Sequence, residues 1–130
     1  MAIRLDHLIV PSRKKHESAG FLAGLLGVPW GESFAGLVAV YVSDSLTVDF
    51  ADVSPLSVNH YCFRVSDDEF DTILARIKER GIPYRSSPHG EADYKVNTAG
   101  GGKNLFWFDP DGHNWEILTV SYARQASPSA

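Results

Sequence analysis

The sequence lacks several features that would place it in common functional classes. It has one cysteine, Cys62, among 130 residues, which excludes an intrachain disulfide and fits a reducing compartment. No apolar run approaches the roughly 20 residues needed to span a bilayer. The first residues also lack the apolar core of a secretory signal, so we expect a cytoplasmic protein with no membrane partner. The 16 acidic residues outnumber the 12 basic ones, giving a net charge of -4. Because phosphate binding needs a basic face, we expect a small-molecule partner and no nucleic acid.

The composition predicts a globular protein of ordinary size. Hydrophobic residues make up 44% of the chain and charged residues 22%, the balance found in proteins with a well-formed core. A chain of this length buries such a core without disulfides as staples. We therefore predict a single domain over residues 1–122. Residues 123–130 are small and polar, and they predict a disordered tail.

A faint internal repeat divides this domain into two modules, residues 3–52 and residues 56–120. In each module a short strand is followed by a helix, predicted over about residues 14–26 and 67–80. The second helix carries an amphipathic stripe formed by Phe70, Ile73, Leu74 and Ile77. The helices end in similar sequences, Gly-Val-Pro-Trp at 27–30 and Gly-Ile-Pro-Tyr at 81–84. This similarity indicates a duplication.

Runs of strand type follow each helix. They cover residues 36–42 and 46–51 in the first module, and 104–108 and 114–120 in the second. With a weakly marked strand directly after each helix, each module reads β-α-β-β-β. The segment 86–103 is long for a loop in a compact domain and contains Gly100-Gly101-Gly102-Lys103. We predict a mobile loop there rather than a phosphate cradle, because the strand-loop-helix context of a P-loop is missing.

Four polar side chains occur at matching points of the repeat, each within a short apolar run. They are His7, Asp49, His60 and Glu116. An unpaired charge or imidazole in such a run is costly, so these residues need partners. Two imidazoles with one or two carboxylates form the ligand set of a catalytic divalent cation. Asp49 has an open alternative, in which it orients a histidine instead of contacting the cation.

These residues and one further motif resemble the vicinal oxygen chelate superfamily. That superfamily includes glyoxalase I, extradiol dioxygenases, and fosfomycin and bleomycin resistance proteins. The resemblance covers residues 3–120 and is carried by Leu5-Asp6-His7-Leu8, by Asn59-His60-Tyr61 and by the stretch 108–116. The Asp109-Pro110-Asp111-Gly112 turn followed by Glu116 is its most specific part. It implies an α+β fold in which two βαβββ modules form an open, cup-shaped mixed sheet with helices outside.

The resemblance also implies a site. In this superfamily the cation is held by the first and fourth strands of each module, which correspond here to His7, Asp49, His60 and Glu116, with Glu116 as the catalytic carboxylate. The metal is Fe, Mn, Ni or Zn. Glyoxalase I generally has a glutamate where this chain has Asp49, which is one methylene shorter. The smaller set of His7, His60 and Glu116 is similar to that of the dioxygenases and fosfomycin enzymes.

Two functional classes follow from the resemblance. The first is a metal-dependent enzyme that acts on a small oxygenated substrate through bidentate chelation, either as a glyoxalase-like lyase or isomerase or as an extradiol dioxygenase-like enzyme. The second is a metal-free protein of the bleomycin resistance type that sequesters a small molecule. The presence of the ligand residues favours the enzyme. Because many single-chain relatives pair modules across a two-fold axis, we expect a homodimer.

Overall fold

The first sheet joins the two ends of its module by parallel pairing. The computed structural model describes residues 3–124. Strand β1 pairs in parallel with β4, which places Ile9 opposite Asp49, and β3 and β2 extend the sheet in antiparallel fashion to give the order β1-β4-β3-β2. The four strands are β1 (His7–Ser12), β2 (Trp30–Glu32), β3 (Val38–Tyr41) and β4 (Thr47–Asp52).

The helix of this module buries one side against its sheet. Helix α1 (Lys15–Leu26) places Leu22 and Leu25 in the core, where they are at most 2% exposed. It ends at Gly27, whose φ of 72° lies in the left-handed region that favours glycine. A short 3-10 turn, Phe34–Gly36, precedes β3.

The second sheet repeats the parallel pairing. Strand β5 lies parallel to β7 and β6 lies antiparallel to it, giving the order β5-β7-β6. In this register Glu116 of β7 lies between Cys62 of β5 and Phe106 of β6. The strands are β5 (His60–Arg64), β6 (Asn104–Phe108) and β7 (Asn114–Leu118).

Helix α2 (Asp67–Glu79) follows from its sequence. The Ser66 hydroxyl accepts a hydrogen bond from the Glu69 backbone N–H, while the Glu69 carboxylate accepts one from the Ser66 N–H, which forms a capping box. Three of the four residues of the predicted stripe are buried, namely Phe70, Ile73 and Ile77, and Leu74 is half-buried. The predicted amphipathic helix is therefore confirmed.

The predicted strand directly after each helix forms in the first module only. Its counterpart in the second module is reduced to one bridge, in which Arg85 pairs with Phe106. Pro83 and Pro88 flank this position and cannot donate backbone hydrogen bonds, which limits the pairing. The α+β class with mixed sheets is confirmed, with four strands in one sheet and three in the other.

The described residues divide into two compact units. One contains residues 3–59 together with the turn 109–113, and the other contains residues 60–108 and 114–124. The first unit has Val10, Val48 and Phe50 at its centre, and the second has Trp107 and Ile117. Within residues 3–124, neither helix is long and apolar enough to cross a membrane. Most of the predicted disordered tail, residues 125–130, lies outside the described residues.

Candidate metal centre

Glu116 is a fully buried carboxylate in the middle of the second sheet. Its exposure is 0%, although it lies between Trp115 and Ile117 in an apolar strand. A carboxylate removed from water needs partners that replace its hydration. Three side chains supply them: the Tyr122 hydroxyl at 2.6 Å and His60 Nε2 at 3.1 Å from Oε1, and Asn104 Nδ2 at 3.1 Å from Oε2.

His60 presents its Nε2 atom to this carboxylate because its other nitrogen is engaged. Nδ1 lies 2.9 Å from the backbone carbonyl of Asn114, and since a carbonyl only accepts, Nδ1 carries the proton and donates. Nε2 then faces Glu116 Oε1 at 3.1 Å. A protonated Nε2 donates to the carboxylate, whereas an unprotonated Nε2 offers a lone pair that can bind a cation together with Oε1.

The pair fits a divalent metal ion. Ligand atoms about 2.1 Å from a common cation, at angles between right and tetrahedral, lie roughly 3.0–3.4 Å apart. The His60–Glu116 separation of 3.1 Å lies in this range. Metal-binding histidines commonly donate their second N–H to a backbone carbonyl, as His60 does to Asn114. The donor set of imidazole nitrogen and carboxylate oxygen suits Zn, Mn, Fe or Ni.

Two further groups beside Glu116 stay neutral. Desolvation by the surrounding protein, and secondly the Glu116 carboxylate, raise the pKa of the Cys62 thiol to about 12. The same two causes raise the pKa of the Tyr122 phenol well above its ordinary value. Cys62 is therefore a thiol rather than a nucleophilic thiolate at neutral pH. Tyr122 is a hydrogen-bond donor to the carboxylate.

The first unit places the other two predicted ligands on one face of its sheet. In the β1–β4 register, His7 lies two positions from the residue that pairs with Asp49, so both side chains point the same way. Asp49 is 7% exposed, whereas 60% of the His7 side chain is exposed. The hydrogen bond to Asp6 raises the pKa of His7 against a smaller effect of desolvation, and the charges of Asp6 and Asp49 add to the rise. That these two residues share a cation with His60 and Glu116 remains a prediction.

A second group of potential ligands lies in the 109–113 turn, which belongs to the first unit. Ligand atoms of the buried Asp109, Asp111 and His113 lie within 4.8 Å of one another. Both His113 nitrogens are engaged: Nε2 donates to the Pro11 carbonyl at 2.7 Å and Nδ1 accepts from the Asn59 N–H at 3.0 Å. Oδ1 of Asp109 accepts from the backbone N–H groups of residues 111 and 113. These bonds stabilise the turn, and a cation would have to displace them.

Asp111 is the centre of this turn's connection to β1 and α1. Its Oδ2 accepts hydrogen bonds from the hydroxyls of Ser12 and Ser18, both at 2.6 Å, and its Oδ1 accepts from the Arg13 N–H at 2.9 Å. Burial acts to raise the pKa of Asp111, but these hydrogen bonds outweigh it and leave the pKa below its ordinary value. The carboxylate is therefore ionised in the folded protein at neutral pH.

Sequence reasoning missed two partners of Glu116. Asn104 lies on the same face of the sheet, and the register of the predicted strands 104–108 and 114–120 contains the signal that would have found it. Tyr122 lies beyond the end of β7, where strand alternation assigns no face. No sequence signal marked it.

Comparison with known proteins identifies the family. No protein-family model matches the chain. Among solved structures, the oxidase ChaP-H1 is 41% identical, covering 93% of this chain and 98% of its own, with a TM-score of 0.85. The oxidase ChaP-H2 is 36% identical, covering 97% and 100%, with a TM-score of 0.86. The chain belongs to the vicinal oxygen chelate superfamily.

A more distant relative matches part of the chain. The fosfomycin resistance protein FosX of Mesorhizobium japonicum is 28% identical over 74 residues. The match spans 54% of this chain and 48% of that protein, about half the length of the relative. The two oxidase matches confirm the predicted superfamily, and the relatives are named for different activities, oxidase and fosfomycin resistance.

Proposed function

We propose that this protein is a metal-dependent enzyme that binds a small oxygenated substrate through two oxygens on one divalent cation. The proposal is carried by the 3.1 Å contact between His60 Nε2 and the fully buried Glu116. The carboxylate is held in place by two further donors, and the imidazole is oriented by a backbone carbonyl. Two relatives are named as oxidases, which favours the dioxygenase-like alternative over the glyoxalase-like one.

The proposed ligand set is His60 and Glu116 completed by His7. These residues would hold Fe(II), because two histidines and one carboxylate are the ligand set of non-heme iron oxygenases. Asp49 shares a face with His7 and would be either a fourth ligand or the group that orients His7. When bound, the cation would stabilise negative charge that develops on the substrate oxygens.

The chain's own residues would orient the substrate and control its protons. The Phe106 ring is 2% exposed and lies 6.0 Å from the His60 ring, so one side of the imidazole has apolar surroundings. Glu116 is the proposed catalytic carboxylate. In the glyoxalase-like alternative it would accept and return a proton at Oε1, whereas in the oxidative alternative it would remain a ligand.

Metal content tests the proposal directly. Tag-free protein is stripped with a chelator, reloaded separately with Fe²⁺, Mn²⁺, Ni²⁺ and Zn²⁺, and measured by elemental analysis. We expect one tightly bound ion per chain, lost in His60→Ala and Glu116→Gln. His16→Ala and Glu17→Gln are matched controls outside the site and should bind as the parent does. Metal-free protein that binds an aromatic ligand equally well with and without His60 would favour the sequestering alternative.

We also propose a homodimer, and mixing variants tests how the ligands are shared. His7→Ala and His60→Ala should each lack metal. If each site combines His7 of one chain with His60 of the other, unfolding and refolding an equal mixture will restore metal binding in part. If both ligands come from one chain, the refolded mixture will still bind no metal. Sedimentation of the parent protein checks for the dimer itself.

A further inference from the structure

The last described segment of the chain reaches the buried carboxylate of the candidate metal centre. Tyr122 lies four residues beyond the end of β7, and its hydroxyl is 2.6 Å from Glu116 Oε1. The phenol donates this hydrogen bond and the carboxylate oxygen accepts it. The distance is that of a charge-assisted O–H···O⁻ bond, which is stronger than a neutral one.

This hydrogen bond acts on the oxygen that faces His60. Oε1 of Glu116 receives both the Tyr122 hydroxyl and the His60 Nε2 contact, while Oε2 receives Asn104. Each carboxylate oxygen has two lone pairs, so Oε1 can bind a cation and the hydroxyl together. With a partner fixed on each side, the carboxylate group cannot rotate freely. Oε1 is thereby kept toward His60.

A glycine fixes the path of the chain between β7 and Tyr122. A Cβ atom at Gly102 would lie 2.6 Å from both Thr119 Oγ1 and Val120 Cγ2. Thr119 is bound to the next residue of the same loop, since its N–H donates to the Lys103 carbonyl and its hydroxyl accepts from the Lys103 N–H, each at 2.9 Å. The segment that carries Tyr122 therefore packs on the backbone of Gly102, which only glycine permits without a shift.

We propose that Tyr122 is a positioning residue for Glu116. The segment 119–122 packs on the glycine loop, residues 100–103, and this packing places the Tyr122 hydroxyl at the carboxylate. This rests on the proposed function, because the carboxylate being positioned is the proposed metal ligand. The Gly-Gly-Gly-Lys sequence, which lacks the context of a phosphate cradle, thus supports the segment that carries Tyr122. Tyr122, which the strand pattern does not mark, orients the carboxylate.

Cobalt binding tests the inference, with Co²⁺ as both ligand and spectroscopic probe. Tyr122→Phe removes the hydroxyl alone and should raise the Kd for Co²⁺ about 10- to 100-fold, as loss of an outer hydrogen bond does at other metal sites. It should also change the visible absorption of the saturated protein, because the released carboxylate alters the coordination. Gly102→Ala should also raise the Kd for Co²⁺ and change the absorption, because the added Cβ displaces the segment that carries Tyr122. Tyr94→Phe and Gly100→Ala are matched controls, since a Cβ at Gly100 meets nothing within 4 Å.

The outcomes separate this inference from the proposed function. Parental protein that binds no Co²⁺ would overturn both. Parental binding that Tyr122→Phe leaves unchanged in Kd and spectrum would overturn the inference alone. A weaker Kd with an unaltered spectrum at saturation would also overturn it, because the tyrosine would then act through general structure. Weaker binding and a changed spectrum in both variants, with both controls normal, supports it.

Discussion

Replacing Asp111 tests whether the 109–113 turn is held by hydrogen bonds, as we infer, or by a metal ion. The carboxylate is 5% exposed and accepts three hydrogen bonds, from Ser12, Ser18 and the Arg13 N–H. A hydrogen bond to a charged acceptor contributes about 1.5–3 kcal/mol. The two serines can partly re-pair, because their hydroxyls already lie 2.9 Å apart. Asp111→Ala should therefore lower the free energy of unfolding by about 3–5 kcal/mol, and Asp111→Asn, which keeps one acceptor, by about 2–3 kcal/mol.

Urea unfolding followed by tryptophan fluorescence measures this change. Asp44→Asn, an exposed aspartate in the β3–β4 turn, is the control and should change the free energy by less than about 0.5 kcal/mol. The folded-state pKa of Asp111 is below its ordinary value, so its stabilisation is present above the unfolded pKa of about 3.9 and is lost as pH falls through the folded pKa. The difference in free energy of unfolding between the parent and Asp111→Asn should accordingly become smaller below about pH 4.

Two results would refute this reasoning. One is a decrease in the free energy of unfolding of less than about 1 kcal/mol in Asp111→Ala, because the loss of three hydrogen bonds to a buried carboxylate should destabilise the protein by more than that. The other is a stability loss of the same size when the parent protein is treated with a chelator. That result would assign the group Asp109, Asp111 and His113 to a bound cation.

Three further changes test other contacts by the same urea assay. Ser66→Ala removes the N-cap of α2 and its reciprocal bond with Glu69, and should cost about 1 kcal/mol; an unchanged midpoint would contradict the capping role. Lys103→Met breaks an exposed ion pair with Asp71 (2.8 Å) and should cost at most about 1 kcal/mol, less at high salt, so a large salt-independent loss would contradict it. Trp107→Phe removes a buried indole N–H that has no hydrogen-bond partner within residues 3–124, and this gain offsets the stability lost with the ring volume. We expect the free energy of unfolding to change by at most about 1 kcal/mol, compared with a loss of roughly 3–5 kcal/mol for a Trp→Ala change.

The second module shows how far local sequence determines structure. The stripe of Phe70, Ile73 and Ile77 and the cap at Ser66 predict α2 to within a residue, because periodicity and capping are both local. Strand β6 matches its predicted bounds. The strand expected near Arg85 depends on pairing partners and on two flanking prolines, so composition alone did not decide it.

The candidate site was predictable only where strand alternation applies. Alternation places His60 and Glu116 on one face, and the parallel register of β5 and β7 then brings them into contact. Tyr122 reaches the site from a segment with no periodic pattern, and its path depends on the close approach of Val120 to Gly102. Such a contact between residues far apart in the chain cannot be predicted from the local sequence pattern.

Anomalous X-ray diffraction from crystals grown with Zn²⁺ or Co²⁺ is the most direct test of the central claim, that His60 and Glu116 hold a cation. We predict one strong anomalous peak per chain, about 2.0–2.2 Å from both His60 Nε2 and Glu116 Oε1. A peak at the 109–113 turn alone, or metal-loaded crystals with density between His60 and Glu116 too weak for an ion, would contradict the claim.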